Sequence, residues 1–306
     1  MRKREIIAVG GGKGGVGKSL LSVNLAVALS QLGKSVVVLD GDLGSANCHT
    51  LLGITRIEKS IEEYLKEECS LADVVIATRF SNLHLICGAS NKVDSYLERP
   101  NAGERFLRDV VALDHDYIVL DLGAGMSDVT LDLYNLSHTK IIAVTPEFTS
   151  LQNAYGFVKS AFFRSLSQHE SLNDYLPKMS DPVVFRKIML ELAPHLAARK
   201  DYEAALRDQK FKIAGNMISA KTEVAIITKI RAIVKEFLDI DSTEFGIFMT
   251  SHDVQSSINK LTPFVELFPQ DGNSKELKRI ARTIDGQAVD VIERRWWKFW
   301  QTAKKT

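Results

Sequence analysis

Eight residues near the start of the chain, Gly12-Lys13-Gly14-Gly15-Val16-Gly17-Lys18-Ser19, have the types and spacing to hold a polyphosphate. They fit the pattern G-x-x-x-x-G-K-[ST], in which glycines let backbone N–H groups close around phosphate oxygens. Lys18 then reaches the β- and γ-phosphates, and the Ser19 hydroxyl coordinates Mg²⁺. The same residues could instead form a plain glycine turn. The flanks decide between the two readings. Ile6-Ile7-Ala8-Val9 before the loop reads as a buried strand, and Leu20 to Leu29 after it has helical spacing. A strand, a glycine-rich loop and a helix N-terminus carrying partial positive charge form a phosphate site. Its candidate contacts are Gly12, Gly14, Gly15, Val16, Gly17, Lys18, Ser19 and Leu20.

Further carboxylates stand where such a site needs them. Val36-Val37-Val38-Leu39 is an apolar run leading into Asp40 and Asp42, and Tyr117-Ile118-Val119-Leu120 leads into Asp121. Acids at the carboxyl ends of parallel strands face the crevice where open α/β sheets bind ligands. Asp121, about a hundred residues beyond the loop, has the placement of an aspartate that holds Mg²⁺ through water. Gly123, Ala124 and Gly125 leave room for the backbone to move against a γ-phosphate. Helix capping is the plainer role open to Asp40 and Asp42.

Composition narrows the classes. The chain has 306 residues, 45% of them apolar, enough for one large core with a decoration. Lys and Arg total 39 against 38 Asp and Glu, a net charge of +1, so no global field draws it to nucleic acid. Cys48, Cys69 and Cys87 are odd in number and lack C-x-x-C spacing, which fits a reducing compartment and argues against a structural zinc, an iron–sulfur ligand set or a disulfide framework. The apolar run after Met1-Arg2-Lys3-Arg4 is too short for an export signal. No run of about 18 apolar residues suggests a membrane span.

With Lys13 included, the loop resembles the deviant P-loop ATPases of the MinD/ParA group, whose motif reads K-G-G-x-G-K-[ST]. Asp121 to Gly125 fits that family's D-x-x-A-G. Thr145-Pro146-Glu147-Phe148-Thr149-Ser150-Leu151 and Pro263-Phe264-Val265-Glu266-Leu267-Phe268-Pro269 are similar to the FlhG subgroup, the MinD-like ATPases of flagellar placement. The resemblance covers about residues 5–163 and 210–285. It implies ATP and Mg²⁺ as cofactors and a homodimer formed on ATP binding. Lys13 would cross to the neighbouring subunit's phosphates, as an arginine finger does; a solvated lysine in a polar loop is the plainer alternative. Asp42 would orient the attacking water, Asp40 would stand with Ser19 and Asp121 near Mg²⁺, and Asn47 would contact the partner subunit. Asn216, closing the strand Phe211 to Gly215, would hydrogen-bond adenine; as a bare residue it is as good a turn former.

The chain departs from the family in three places. Only four residues precede the first strand, so no activating helix is expected there. Thr250-Ser251-His252-Asp253 replaces the proline expected after Met249. Residues 164–209 look inserted, with helical apolar spacing at Val184, Ile188, Leu192 and Leu196. Asn91-Lys92-Val93-Asp94 matches the guanine-reading motif N-K-x-D but precedes Asp121 instead of following it, and is read as chance.

The end of the chain is the second informative stretch. At about 100° per residue, Val289, Ile292, Trp296, Phe299, Trp300 and Ala303 share one face, with Arg294, Arg295, Lys298 and Lys305 opposite. An aromatic face, a cationic face and a terminal position describe a helix lying in anionic headgroups. Docking on its own domain and stacking on single-stranded bases are the alternatives.

The expected fold is a doubly wound α/β sheet, mainly parallel, of seven or eight strands with a helical insertion. Residues 1–288 form the ATPase domain, 164–209 lie within it as the insertion, and 289–306 form the tail. The expected protein is a slow, partner-stimulated ATPase acting as a nucleotide-controlled spatial regulator. It would be cytoplasmic and attached peripherally to the inner face of the membrane, with an unidentified protein partner and no specific nucleic acid. A DNA- or cargo-segregating ATPase and an ATP-binding scaffold without turnover are the competing classes.

Overall fold

The computed structural model describes residues 4–42, 46–88, 99, 101–178, 181–191 and 197–287. The expectations placed on residues 91–94 and on the tail 289–306 lie outside them.

Eight strands form one sheet: β1 (Glu5–Gly10), β2 (Val36–Gly41), β3 (Val75–Ala77), β4 (Leu83–Ile86), β5 (Tyr117–Leu122), β6 (Thr139–Val144), β7 (Phe211–Ile218) and β8 (Ser242–Met249). Their order is β3-β4-β2-β5-β1-β6-β7-β8, parallel throughout except for the antiparallel edge pair β3–β4. The edge strand β3 has only three residues, too few to carry a readable periodicity in the sequence.

The continuous apolar runs follow from burial on both faces. Along β1, Ile6 and Ala8 enter one core layer and Ile7 and Val9 the other; Val37 and Leu39 of β2 share the first layer, Val36 and Val38 the second. Each Val, Ile or Leu among them, fully buried, contributes about 1.5–3 kcal/mol. The second layer is closed by α1 (Lys18–Ser30), α11 (Phe264–Leu267) and α12 (Gly272–Ile284), and the first by helices that include α5 (Asp128–Leu136), α6 (Phe148–Leu166) and α9 (Ala225–Leu238). The connections carry α2 (Cys48–Leu51), α3 (Ile61–Leu65), α4 (Ala102–Ala112) and α10 (His252–Asn259).

α1 is apolar around nearly its whole circumference and is buried accordingly. Its one interior amide, Asn24, accepts from the Val265 N–H at 3.0 Å and donates to the Leu20 carbonyl at 2.8 Å, tying α11 to the loop helix. Parity along the strands then places the acids. Asp40 and Asp121 are register partners on β2 and β5, and both follow the alternation of Val38 and Val119 toward the α1 side.

Within 164–209 lie the end of α6, a 3₁₀ segment (Glu170–Lys178), α7 (Pro182–Glu191) and α8 (Ala197–Asp208). Ala198, Tyr202 and Ala205 of α8 are buried, with the Tyr202 ring 5.9 Å from Phe162 of α6. The apolar spacing from Val184 to Leu196 is not one buried stripe. α7 stops at Glu191, Val184 is exposed, Ile188 packs against the core, and Leu192 and Leu196 fall outside the described residues.

Candidate nucleotide-binding site

The loop between β1 and α1 is folded against two distant elements. Gly12 lies so close to α6 that a Cβ there would sit 2.1 Å from the Asn153 carbonyl oxygen. Gly17, the N-cap of α1, has φ +86° and would place a Cβ 2.1 Å from Asn216 Nδ2. Gly12 therefore needs glycine for space against helix backbone, and Gly17 needs it for conformation. Between them the loop is open: a Cβ on Gly14 or Gly15 would meet no heavy atom within 4 Å among the described residues.

Lys18 opens α1 and is only 7% exposed. Its Nζ donates to the Lys13 carbonyl at 3.2 Å. Burial pulls its pKa down, while Asp121 and Asp42 push the other way. Beneath the helix, Ser22 Oγ lies 3.0 Å from both the Lys18 carbonyl and Asp121 Oδ1, its one proton shared between them, and Ser19 also hydrogen-bonds Asp121. The other carboxylate oxygen, Oδ2, accepts from Cys48 Sγ at 3.2 Å. Asp40 accepts from the Cys48 N–H at 2.9 Å and from the Asp42 N–H at 3.3 Å. Cys48 begins the short helix α2, so Asp40 does cap a helix N–H, and it does so with its carboxylate beside Asp121.

Two carboxylates fully out of water and close together resist double ionisation. Burial, and then the field of Asp121, raises Asp40 to about 7; burial raises Asp121 as well, and the Cys48 thiol is pushed well above its ordinary value by burial and both acids. A carboxyl whose folded pKa exceeds its unfolded one supports folding most at low pH, and this support is lost as pH rises toward about 7. His49 and His115, lowered by burial, titrate in the opposite sense. The difference between wild type and Asp40→Asn reports the titration of the Asp40–Asp121 pair. In EDTA, the variant should gain stability relative to wild type between about pH 5 and pH 8. Parallel denaturation curves at the two pH values would contradict this.

Lys13 is held on the outer rim, 38% exposed, by its own chain: Nζ lies 2.6 Å from Glu147 Oε2 and donates to Thr149 Oγ1 at 3.1 Å. Lys13 in turn draws the Glu147 pKa down. Ser150 braces this turn by accepting the Thr145 N–H at 2.9 Å. In the single chain Lys13 contacts Glu147 and Thr149.

Asp42 lies beside Gly123, where a Cβ would stand 3.4 Å from Asp42 Oδ1. Asn47 is the N-cap residue of α2 without a side-chain capping bond, and Gly125 is exposed in the middle of the loop after β5. Asn216 is no turn former: it lies within β7, and its Nδ2 donates to the Val16 carbonyl at 2.8 Å. Beside it, a pocket is lined by Leu20, Leu21, Phe248, Met249, Val254 and Phe264, with Asn273. The structure thus brings Lys18, Ser19, Asp40 and Asp121 together, sets Asn216 against the loop, and keeps Lys13 and Gly125 at the rim. Sequence reasoning missed Ser22, Cys48 and Asn153. Only Ser22 left a readable sign, being four residues after Lys18 and so on the same helix face.

The residues fit the groups that such a loop implies. The open stretch at Gly14 and Gly15 leaves space for phosphate oxygens. Asp40, Cys48 and Asp121 keep their ligand atoms within 4.8 Å of one another, all buried, so a divalent cation nearby would offset crowded negative charge.

A strand ending in a glycine-rich loop, a buried lysine at the helix start and paired acids on neighbouring strand ends define a P-loop NTPase with a mainly parallel sheet. The chain belongs to the ParA/MinD family of these proteins. The family profile described as ParA, NUBPL iron-transfer P-loop NTPase, matches residues 2–167, more than half of the chain. The antiactivator FleN of Pseudomonas aeruginosa is 26% identical over 288 residues, covering 93% of this chain and 88% of that one. The septum site-determining protein MinD of Helicobacter pylori is 26% identical over 290 residues, 94% and 93% of the two chains. The flagellum site-determining protein YlxH of Helicobacter pylori is 36% identical over 157 residues, about half of each. Among solved structures, Pyrococcus horikoshii MinD complexed with Mg-ADP superposes with a TM-score of 0.63 at 18% identity, covering 92% of this chain and 96% of that one. An ATP complex of a single-residue variant of Cyanothece McdA gives 0.63 at 16% identity, covering 95% and 100%. At these identities the structures establish the fold. Among the described residues, no helix is long and apolar enough to cross a membrane.

Proposed function

We propose that the chain is a Mg-ATP-dependent ATPase that dimerises on ATP and acts as a nucleotide-controlled spatial regulator of the MinD/FlhG kind. Lys18 binds the β- and γ-phosphates, Ser19 with Asp121 and Asp40 holds Mg²⁺, and Asp42 orients the attacking water. Asn47 and Gly125 complete the face toward the partner. Mg²⁺, when bound, supplies positive charge against the phosphates.

The observation that carries this reading is the position of Lys13. It belongs to the phosphate loop, yet its ammonium stands at the rim on Glu147 and Thr149. A cation so placed can serve a neighbour's pocket once it leaves Glu147. Residues 289–306 then serve as a membrane-binding tail on the ATPase domain 1–288, two copies per dimer adding avidity for anionic lipid at the inner face of the cell membrane. The names antiactivator and flagellum site-determining protein, borne by relatives, favour flagellar number or placement as the process. The MinC:MinD complex of Aquifex aeolicus favours a protein partner; turnover that is slow until a partner binds belongs to the same proposal.

Light scattering and flotation with anionic vesicles, each in Mg-ATP and Mg-ADP, test the reading. The expected results are a doubled mass and vesicle binding in ATP only. Asp42→Ala should hold the dimer, and removal of residues 289–306 should abolish flotation without changing the mass. Equal mass in both nucleotides would reject the switch.

A further inference from the structure

Cys48 touches both buried acids of the site at once. It opens α2 immediately after Asn47 and is fully buried. Its N–H donates to Asp40 Oδ2 at 2.9 Å, and its Sγ donates to Asp121 Oδ2 at 3.2 Å. The first bond seats its backbone on β2; the second aims its sulfur at β5. Asp121 Oδ1 faces Ser22 on the other side, so Oδ2 is the oxygen that meets the sulfur. Among the described residues, Asp40, Cys48 and Asp121 form the one group of three acid, imidazole or thiol donors whose ligand atoms lie within 4.8 Å of one another.

Donor type decides which cation this arrangement favours. Mg²⁺ is a hard ion that prefers six oxygen ligands, and sulfur suits it poorly. Zn²⁺ and Cd²⁺ bind thiolate readily, and Zn²⁺ also takes carboxylate oxygen. Around a tetrahedral ion, a sulfur at about 2.3 Å and an oxygen at about 2.1 Å stand ~3.5 Å apart. The 3.2 Å between Cys48 Sγ and Asp121 Oδ2 is close to that spacing. No C-x-x-C pattern announces such a site, because its donors come from β2, α2 and β5.

We propose that Asp40, Cys48 and Asp121 bind a thiophilic divalent cation of the Zn²⁺ class, with the Cys48 sulfur as the ligand that sets this ion apart from Mg²⁺. The thiol proton leaves to solvent as the sulfur–metal bond forms, and the ion's charge stands between the two acids in its place. Its competition with Mg²⁺ rests on the reading above, in which Asp40 and Asp121 hold Mg²⁺: two ions then contend for one acid pair.

Cd²⁺ is the probe, added to the nucleotide-free full-length protein with no thiol reagent present. Sulfur-to-cadmium charge-transfer absorption in the ultraviolet reports the thiolate bond. The band should reach a plateau at about one Cd²⁺ per chain, and Zn²⁺ should displace it far more readily than Mg²⁺. Cys48→Ser should abolish it. Asp121→Asn should weaken Cd²⁺ binding by about tenfold or more, since losing even a hydrogen-bonding neighbour of a metal ligand costs about 10–100-fold. Cys69→Ser and Cys87→Ser, whose thiols lie outside the group, should leave the band unchanged. A band that survives Cys48→Ser, or that Asp121→Asn leaves at full affinity, would overturn the proposal. Where circular dichroism shows a variant unfolded, Cys48→Ala and Asp40→Asn take the places of the first two. Mg-ATP binding by the same preparation keeps the two readings apart. Mg-ATP binding without a Cd²⁺ band rejects this inference alone. A Cys48-dependent band without Mg-ATP binding supports the three-donor site and rejects the nucleotide reading.

Discussion

Lys18→Ala should abolish ATP turnover and lower nucleotide affinity by about a hundredfold or more. Lys18 is a buried cation, and truncating one member of a buried charged contact costs about 2–5 kcal/mol, of which ~3 kcal/mol is already two orders of magnitude in affinity. Its burial, which lowers its pKa in the free protein, also removes the competing water that would weaken its grip on a phosphate. The fold should lose far less. With Lys18 gone, Asp121 still accepts from Ser22 and Cys48 and can meet its burial by taking up a proton. Thermal unfolding with and without Mg-ATP separates the two effects. Wild type should be stabilised by the nucleotide and the variant should not, with midpoints close together in its absence. A variant stabilised by Mg-ATP as strongly as wild type would show that Lys18 does not hold phosphate.

Gly12→Ala should damage the fold itself, before any nucleotide is added. The new Cβ would lie 2.1 Å from the Asn153 carbonyl oxygen and 2.7 Å from its carbon, both backbone atoms within α6. No rotamer change relieves a clash with helix backbone, so the loop or α6 must move. Overpacking of this kind costs about 1–3 kcal/mol, and more where both elements are rigid. The nucleotide-free midpoint should fall by about 2–5 °C. Gly14→Ala, two residues on, provides the control. Its Cβ would enter open space, so the same midpoint should stay within error while phosphate binding suffers from the filled cradle. Equal midpoints for Gly12→Ala and wild type would mean that the approach of the loop to Asn153 is looser than described.

Several parts of this arrangement are local and could be read from consecutive residues. The strand, glycine loop and helix from Ile6 to Leu29 are contiguous, and their periods and glycine spacing name them without tertiary information. Asp40 and Asp121 were also legible, because each closes an apolar strand and strand ends point to one crevice in a parallel sheet. The contacts that give these residues their behaviour were not. Cys48 lies 73 positions from Asp121, Glu147 134 from Lys13, and Asn216 200 from Val16. Each pairing depends on which strands are neighbours and on the register between them. The bulge that turns Asn216 toward the loop is one residue's mismatch between β7 and β8, with no composition signal to announce it.

The sequence by itself therefore determined the chemistry available to this protein: a phosphate loop, a lysine at its helix start and acids at two strand ends, all set by short-range spacing. Only the tertiary structure decided how that chemistry is held. It put both acids under α1, fastened Lys13 to Glu147, and laid Asn216 across the loop. The physical reason is range. Backbone periodicity acts over a few residues, whereas hydrogen bonds and close packing join whatever the sheet order brings within about 3 Å.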